Sequence, residues 1–222
     1  MLSLALRYYF SGTTTQNIMN SQTKSQFIAV ASITSELSAV MVVAKEISLA
    51  AANAKAIAFR AGDKAKGFQP ITDFINELAK ETIELVTKIN VYAILLYRLT
   101  VDEYRRTAAY NRFEQASKLA NANGARYGDS MQEPTTHAKT VMQDCQRQFK
   151  RDVTQLLGQL EAVMHHARAA RVIAANSRIE ASQAGEYLQS LQAVAESVDK
   201  AAHTIHDNVQ RCRIALSIYR NS

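Results

Sequence analysis

Four histidines are the residues best suited to chemistry in this chain. His165 and His166 are adjacent, and His203 and His206 follow three apart. With Glu161 four positions before His165, these types could hold a divalent metal or ligate haem, or form a layer that titrates near neutral pH. Catalysis finds less material. There is no phosphate loop, no nucleophile elbow and no cluster of carboxylates at site spacing, so the chain is expected not to be an enzyme and to use no cofactor. Cys145 and Cys212 form no metal or redox motif.

Whatever positions those residues is helical. The 222 residues include 7 glycines and 2 prolines, Pro70 and Pro134, with much alanine, leucine, glutamine, serine and lysine. Few breakers among strong helix formers predict an all-α chain. Counting back from Ala184 by alternating threes and fours reaches Ala181, Ser177, Ala174, Ala170, Ala167 and Val163, and continues through Leu160, Leu156 and Val153 to Phe149. All but Ser177 are apolar, which is the seam of a coiled coil or helix bundle. Beyond Gly185 the pattern resumes at Leu188 and runs through Leu191, Ala195, Val198, Ala202 and Ile205 to Tyr219. Two long helices joined by a tight turn are expected.

The same pattern occurs 123 residues earlier. One seam runs from Val30 through Ile33, Leu37, Val40 and Ala44 to Ala61, and its return runs from Ala65 and Phe68 to Leu96. Asn53 and Asn176 coincide at this offset, as do Gly62 and Gly185, and Asp63 falls on Glu186. A duplicated helical hairpin follows, with turns near 62–67 and 185–189. The breaker cluster "NANGARYGDSMQEPTTH" at 121–137 separates the copies. The expected organisation is an extension over 1–22, a first hairpin over 23–122, a linker over 123–133 and a second hairpin over 134–222. Together they form one long antiparallel four-helix coiled-coil bundle with both turns at one end.

This register sharpens the histidine question. Antiparallel partners in the second hairpin have numbers adding to about 371, which sets His165 level with His206. With Val163 and Ala167 in the core, His165 points outward, His166 lies beside the seam, His206 flanks Ile205 and His203 points elsewhere. A solvated or hydrogen-bonded role is therefore the expectation, and a metal or haem sensing layer is the alternative. Cys145 and Cys212 fall at different heights, so no disulfide is expected. The aromatic residues Tyr92, Tyr97, Tyr104, Tyr110 and Phe113 are expected at core or boundary positions.

Charge narrows the partners. The net charge of +6 is dispersed, and no basic run exceeds two residues, so no nucleic-acid partner is expected. The longest apolar run, "VYAILLY" at 91–97, falls far short of the roughly 20 residues of a membrane span. The opening "MLSLALRYYFSG" lacks a basic segment before its apolar start and makes a poor signal peptide. A cytoplasmic location and a monomeric bundle or weak oligomer are expected.

The first turn carries a resemblance. "LAAANAKAIAFRAGDKAKGFQPITDFINELAKET" at 49–82 resembles the hairpin tip of bacterial methyl-accepting chemotaxis receptors through Asn53, Ala54, Ala58, Arg60, Ala61, Gly62, Asp63, Lys66, Gly67 and Phe68. The second copy, "RVIAANSRIEASQAGEYLQSLQAVAESVDKAA" at 171–202, is similar through Asn176, Glu180, Ala181, Gly185 and Glu186. The resemblance covers about 65 residues in the two tips. It implies a single-chain version of a receptor dimer's signalling end, with a tip that binds a histidine kinase and a coupling protein, or the tips of true receptors. The implied binding residues are Asn53, Arg60, Gly62, Asp63, Lys66, Gly67 and Phe68, with Asn176, Glu180, Gly185 and Glu186. In a receptor-like tip the two glycines would take positive φ, and Phe68 would fold over the turn to leave Arg60, Asp63, Lys64 and Lys66 exposed.

The departures are specific. A family glutamate is Ile57 in the first copy and is kept as Glu180 in the second, while the arginine kept as Arg60 is Gln183. The aromatic residue used where receptor dimers join into trimers is Lys45 in one copy and Arg168 in the other, which argues against that packing. The nearest candidate methylation glutamates, Glu36 and Glu114, fit poorly. A plain structural bundle that keeps the tip residues for packing alone is a further alternative.

Overall fold

Helix formers fill four long segments, and glycine or proline punctuates their ends. In the computed structural model, residues 2–126 and 128–220 are described, with side chains over 28–126, 128–217 and at 219. The helices are α1 (Leu2–Ala61), α2 (Phe68–Ala122), α3 (Gln132–Ala181) and α4 (Leu188–Arg220). Among the described residues there is no strand, and the fold is an all-α helical bundle. The extension expected over 1–22 continues α1 from Leu2. Pro70 and Pro134 each occupy the third residue of their helix, where the missing N–H has no intrahelical partner to lose.

The described chain divides into two compact units, Met1–Ala31 with Ile94–Thr154 and Ser32–Ala93 with Gln155–Ser222. The second unit contains both hairpin turns. Its helices form a closed ring of antiparallel neighbours. Ser48 and Lys55 of α1 bond Asn76 and Asp73 of α2, and His166 of α3 faces Glu81 and Thr82 of α2. Arg178 of α3 bonds Asp199 of α4, while Arg211 of α4 makes a bidentate pair with Glu36 of α1 at 3.0 and 2.9 Å. This is an up-down-up-down bundle.

The seam read from the sequence is the core. Every seam position from Val30 to Ala61, Ala65 to Leu96, Phe149 to Ala184 and Leu188 to Tyr219 is buried, except Leu188, which is half-buried. Three polar residues interrupt the apolar pattern in this unit, and each satisfies its own hydroxyl. Thr72, Thr82 and Ser177 donate to the carbonyls of Gln69, Leu78 and Ile173 at 2.7 to 2.8 Å. A hydroxyl bonded to the preceding turn can enter an apolar core without an orphaned polar atom.

In the first unit Leu96, Thr100, Cys145, Phe149 and Val153 are buried. At the end of α2, Gly124 takes φ 62°, the Gly124 N–H donates to Asn121 O and the Ala125 N–H to Ala120 O. That pair of bonds is a Schellman motif, which ends a helix by closing its last carbonyls. Of the aromatic residues expected at core or boundary positions, Tyr92, Tyr97, Tyr104 and Phe113 are exposed and belong to the surface, and Tyr110 is half-buried. Cys145 and Cys212 are both free and buried.

One expectation needs correcting. The run at 91–97 is the longest without interruption, but α1 holds an 18-residue window within Ile28–Ala65 of mean hydropathy 1.6 that does have the length and composition of a membrane span. The reason is that alanines and valines occupy outward positions of α1 as well as its seam. Only 28% of that window is buried.

Candidate functional site

The two turns are built differently from similar residues. Gly62 and Gly185 adopt φ 59° and 57°, the left-handed conformation a glycine takes without a Cβ penalty. A short 3₁₀ turn follows each, Gly62–Ala65 and Gly185–Tyr187. In the first copy α1 stays helical up to Gly62. In the second, α3 ends at Ala181, and Ser182, Gln183 and Ala184 form i to i−3 bonds instead. The Ser182 hydroxyl donates to Ile179 O at 2.6 Å, a local bond that competes with the helical ladder at the residue matching Phe59.

Both hairpins contribute to one tip core. Ala54, Ala58, Ala61, Ala65 and Phe68 of the first pack with Ala181, Ala184 and Leu191 of the second, and Ile57, Tyr187, Leu188 and Val194 close its edges. Alanine at each close approach lets the helices come together around the single large ring of Phe68, which is fully buried. Phe68 is buried in this cluster beside Ala61 and Ala65 of the turn, and Arg60, Asp63, Lys64 and Lys66 are exposed.

The polar residues sort by depth. Asn53, Asn176 and Glu186 are exposed, and Lys64 reaches Glu186 across the hairpins at 3.7 Å. Both ends of that pair are well solvated, so it stabilises by well under about 1 kcal/mol. Lys55 and Asp73 pair at 2.6 Å farther from the turn. Glu180 is half-buried and lies against Gly67 of the other hairpin, where a Cβ would stand 3.0 Å from its carboxyl carbon. A side chain at 67 would have to displace the end of the Glu180 side chain, whereas the surroundings of Gly62 are open. Ile57, which takes the glutamate's place in the first copy, turns into the tip core instead. Arg60 has no ion-pair partner among the described residues.

The histidines do not converge. His165 and His203 are exposed, His206 is half-buried, and His166 turns toward α2, with Nδ1 3.3 Å from Thr82 Oγ1 and Nε2 3.6 Å from Glu81 Oε2. Among the described residues no three His, Cys, Asp or Glu side chains form a group that could hold a metal ion. His166 borders a small apolar cleft with Ile47, Ile75, Ala79, Ala167 and Ile205. Burial pushes its pKa below the ordinary histidine value, the nearby Glu81 carboxylate pulls it up, and His165 pushes it further down.

Several polar contacts were not legible from the seam. Asp199 takes Arg178 at 2.7 Å and Arg171 at 3.7 Å, and the Arg178 hydrogen bond holds its carboxyl below the usual range. Arg211 bonds both Glu36 and the buried Asn208. Cys212, buried beside Ile33, has its thiol pushed up to about 12 by desolvation first and by Glu36 second. Cys212 is itself a seam residue, whereas Glu36, Arg171, Arg178, Asp199, Asn208 and Arg211 flank the seam, where heptad counting is silent. The two glutamates nearest to a methylation pattern are both engaged, Glu36 by Arg211 and Glu114 by Tyr110 and Lys118. Comparison of the chain with family models, with curated proteins and with solved structures finds no match in any of the three.

Proposed function

We propose that the chain is a non-enzymatic cytoplasmic signalling module of chemotaxis, whose tip binds the histidine kinase or its coupling protein, or the tips of chemoreceptors in an array. The observation that supports this reading is the tip itself. Two receptor-like turns share one alanine and phenylalanine core, and Arg60, Asp63 and Lys66 stand exposed around it. A purely structural end would need the core but not the exposed charged residues that accompany it in the receptor-like sequence.

The test is co-purification of the full chain with a chemotaxis coupling protein and kinase. Arg60→Glu reverses an exposed charge and is expected to abolish capture while helicity and melting temperature stay unchanged. Phe68→Ala empties the tip core, at about 3–5 kcal/mol for a buried phenylalanine, and is expected to lose both capture and stability. A folded wild-type chain that captures neither protein nor receptor tips overturns the reading.

A further inference from the structure

α1 carries more apolar surface than its own bundle covers. Along the outward face of this helix, at seven-residue spacing, stand Ser35, Val42, Leu49 and Ala56, all exposed, with Val42 at 55% and Leu49 at 64%. Bundle positions this far from the core ordinarily carry charge. Here Glu36 and Lys55 are turned aside to Arg211 and Asp73. The charges left on the stripe are Lys45 and Glu46, adjacent, opposite in sign and at its midpoint.

We propose that this stripe is the interface between two copies of the chain, with their α1 helices packed antiparallel about a twofold axis passing between residues 45 and 46. A twofold interface must be complementary to itself. In this register Lys45 meets the partner's Glu46 and Glu46 meets the partner's Lys45. Val42 then meets the partner's Leu49, Ala39 meets the partner's Ala52, and Ser35 meets the partner's Ala56. Large apolar side chains pair with each other, small ones with small ones, and the two charges neutralise each other twice.

The duplication supplies an internal comparison. At the matching positions α3 has Gly158, His165, Val172 and Ile179, with Arg168 and Ala169 where α1 has Lys45 and Glu46. A twofold axis there would bring two Arg168 side chains together without acids opposite. A lipid surface fits the α1 stripe less well than a second copy, because it would bury Lys45 and Glu46 at the stripe's centre without partners. From Ser35 to Ala56 the stripe is about 32 Å long at about 1.5 Å per residue. That suits a reversible dimer at the small end of specific interfaces. The inference does not rest on the tip-binding reading, although the same register brings the exposed Asn53 opposite the partner's Ser38.

Sedimentation velocity of the full chain over a micromolar concentration series tests it. Wild type is expected to show a monomer–dimer equilibrium, and Leu49→Glu to remain monomeric. Lys45→Glu alone and Glu46→Lys alone should each weaken association by about tenfold, from two exposed pairs turned repulsive. An equimolar mixture of these two variants should regain wild-type association, because each then presents to the other the charge it lacks. Circular dichroism should show unchanged helicity throughout, as all three positions are exposed. A wild type that stays monomeric, a dimer indifferent to Leu49→Glu, a mixture no better than its components, or a monomer that instead floats with phosphatidylcholine–phosphatidylglycerol vesicles overturns the proposal.

Discussion

His166 shows how far a single residue can be read. Its place beside the seam was legible because Val163 and Ala167 fix the helical phase, but its neighbour was not. The sequence register compared it with α4 of its own hairpin, whereas the side chain turns to Glu81 and Thr82 of α2. Which of two equidistant helices a boundary residue faces depends on its rotamer, and heptad spacing does not carry that information. Burial outweighs Glu81 and lowers the His166 pKa below 6.5. The unfolded chain then takes up the proton more readily than the folded one, so stability falls as pH drops through 6.5 toward the lower folded value. Melting temperatures from pH 8 down to 5 should decline over that window in wild type, and His166→Gln should flatten part of the decline. An unchanged slope in the variant would show that another group controls it.

At the scale of elements, the seam and the breakers determined nearly everything. Both glycines at the turns were expected at positive φ and adopt it, α2 ends at Ala122 where the first hairpin was expected to end, and Ser177 is buried as its place in the seam required. The unlike ends of α1 and α3 were not foreseen, although Ser182 in place of Phe59 was visible. A serine that bonds back to Ile179 O ends the helix one turn early, and pattern counting gives such a local bond no weight. Gly185→Ala isolates the turn's conformational cost. The nearest side-chain atom to the added Cβ would be Lys64 Cδ at 3.9 Å, so there is room, and the penalty is that of φ 57° alone. About 1–2 kcal/mol is expected, a few degrees in melting temperature for a chain of this size. A neutral substitution would mean that the turn relaxes to another conformation.

For the molecule as a whole, the duplication matters most. One chain encodes two hairpins whose turns share a core, so the copies are free to differ where a symmetric dimer could not. Ile57 fills the tip core while its counterpart Glu180 lies against Gly67 of the other hairpin, and exposed Arg60 corresponds to exposed Gln183. The result is a tip whose first-copy side is the more cationic, with Glu186 held across it by Lys64. If this composite tip is the binding surface, residues of both hairpins must contribute to the affinity for one partner. The direct measurement is titration calorimetry of the full chain with the coupling protein, comparing wild type, Arg60→Glu from the first hairpin and Glu186→Lys from the second. Wild type is expected to bind saturably and each variant to lose about tenfold or more, the scale on which truncating a contact residue is felt. Absence of wild-type binding by the folded chain, or two variants that bind as tightly as wild type, would contradict it.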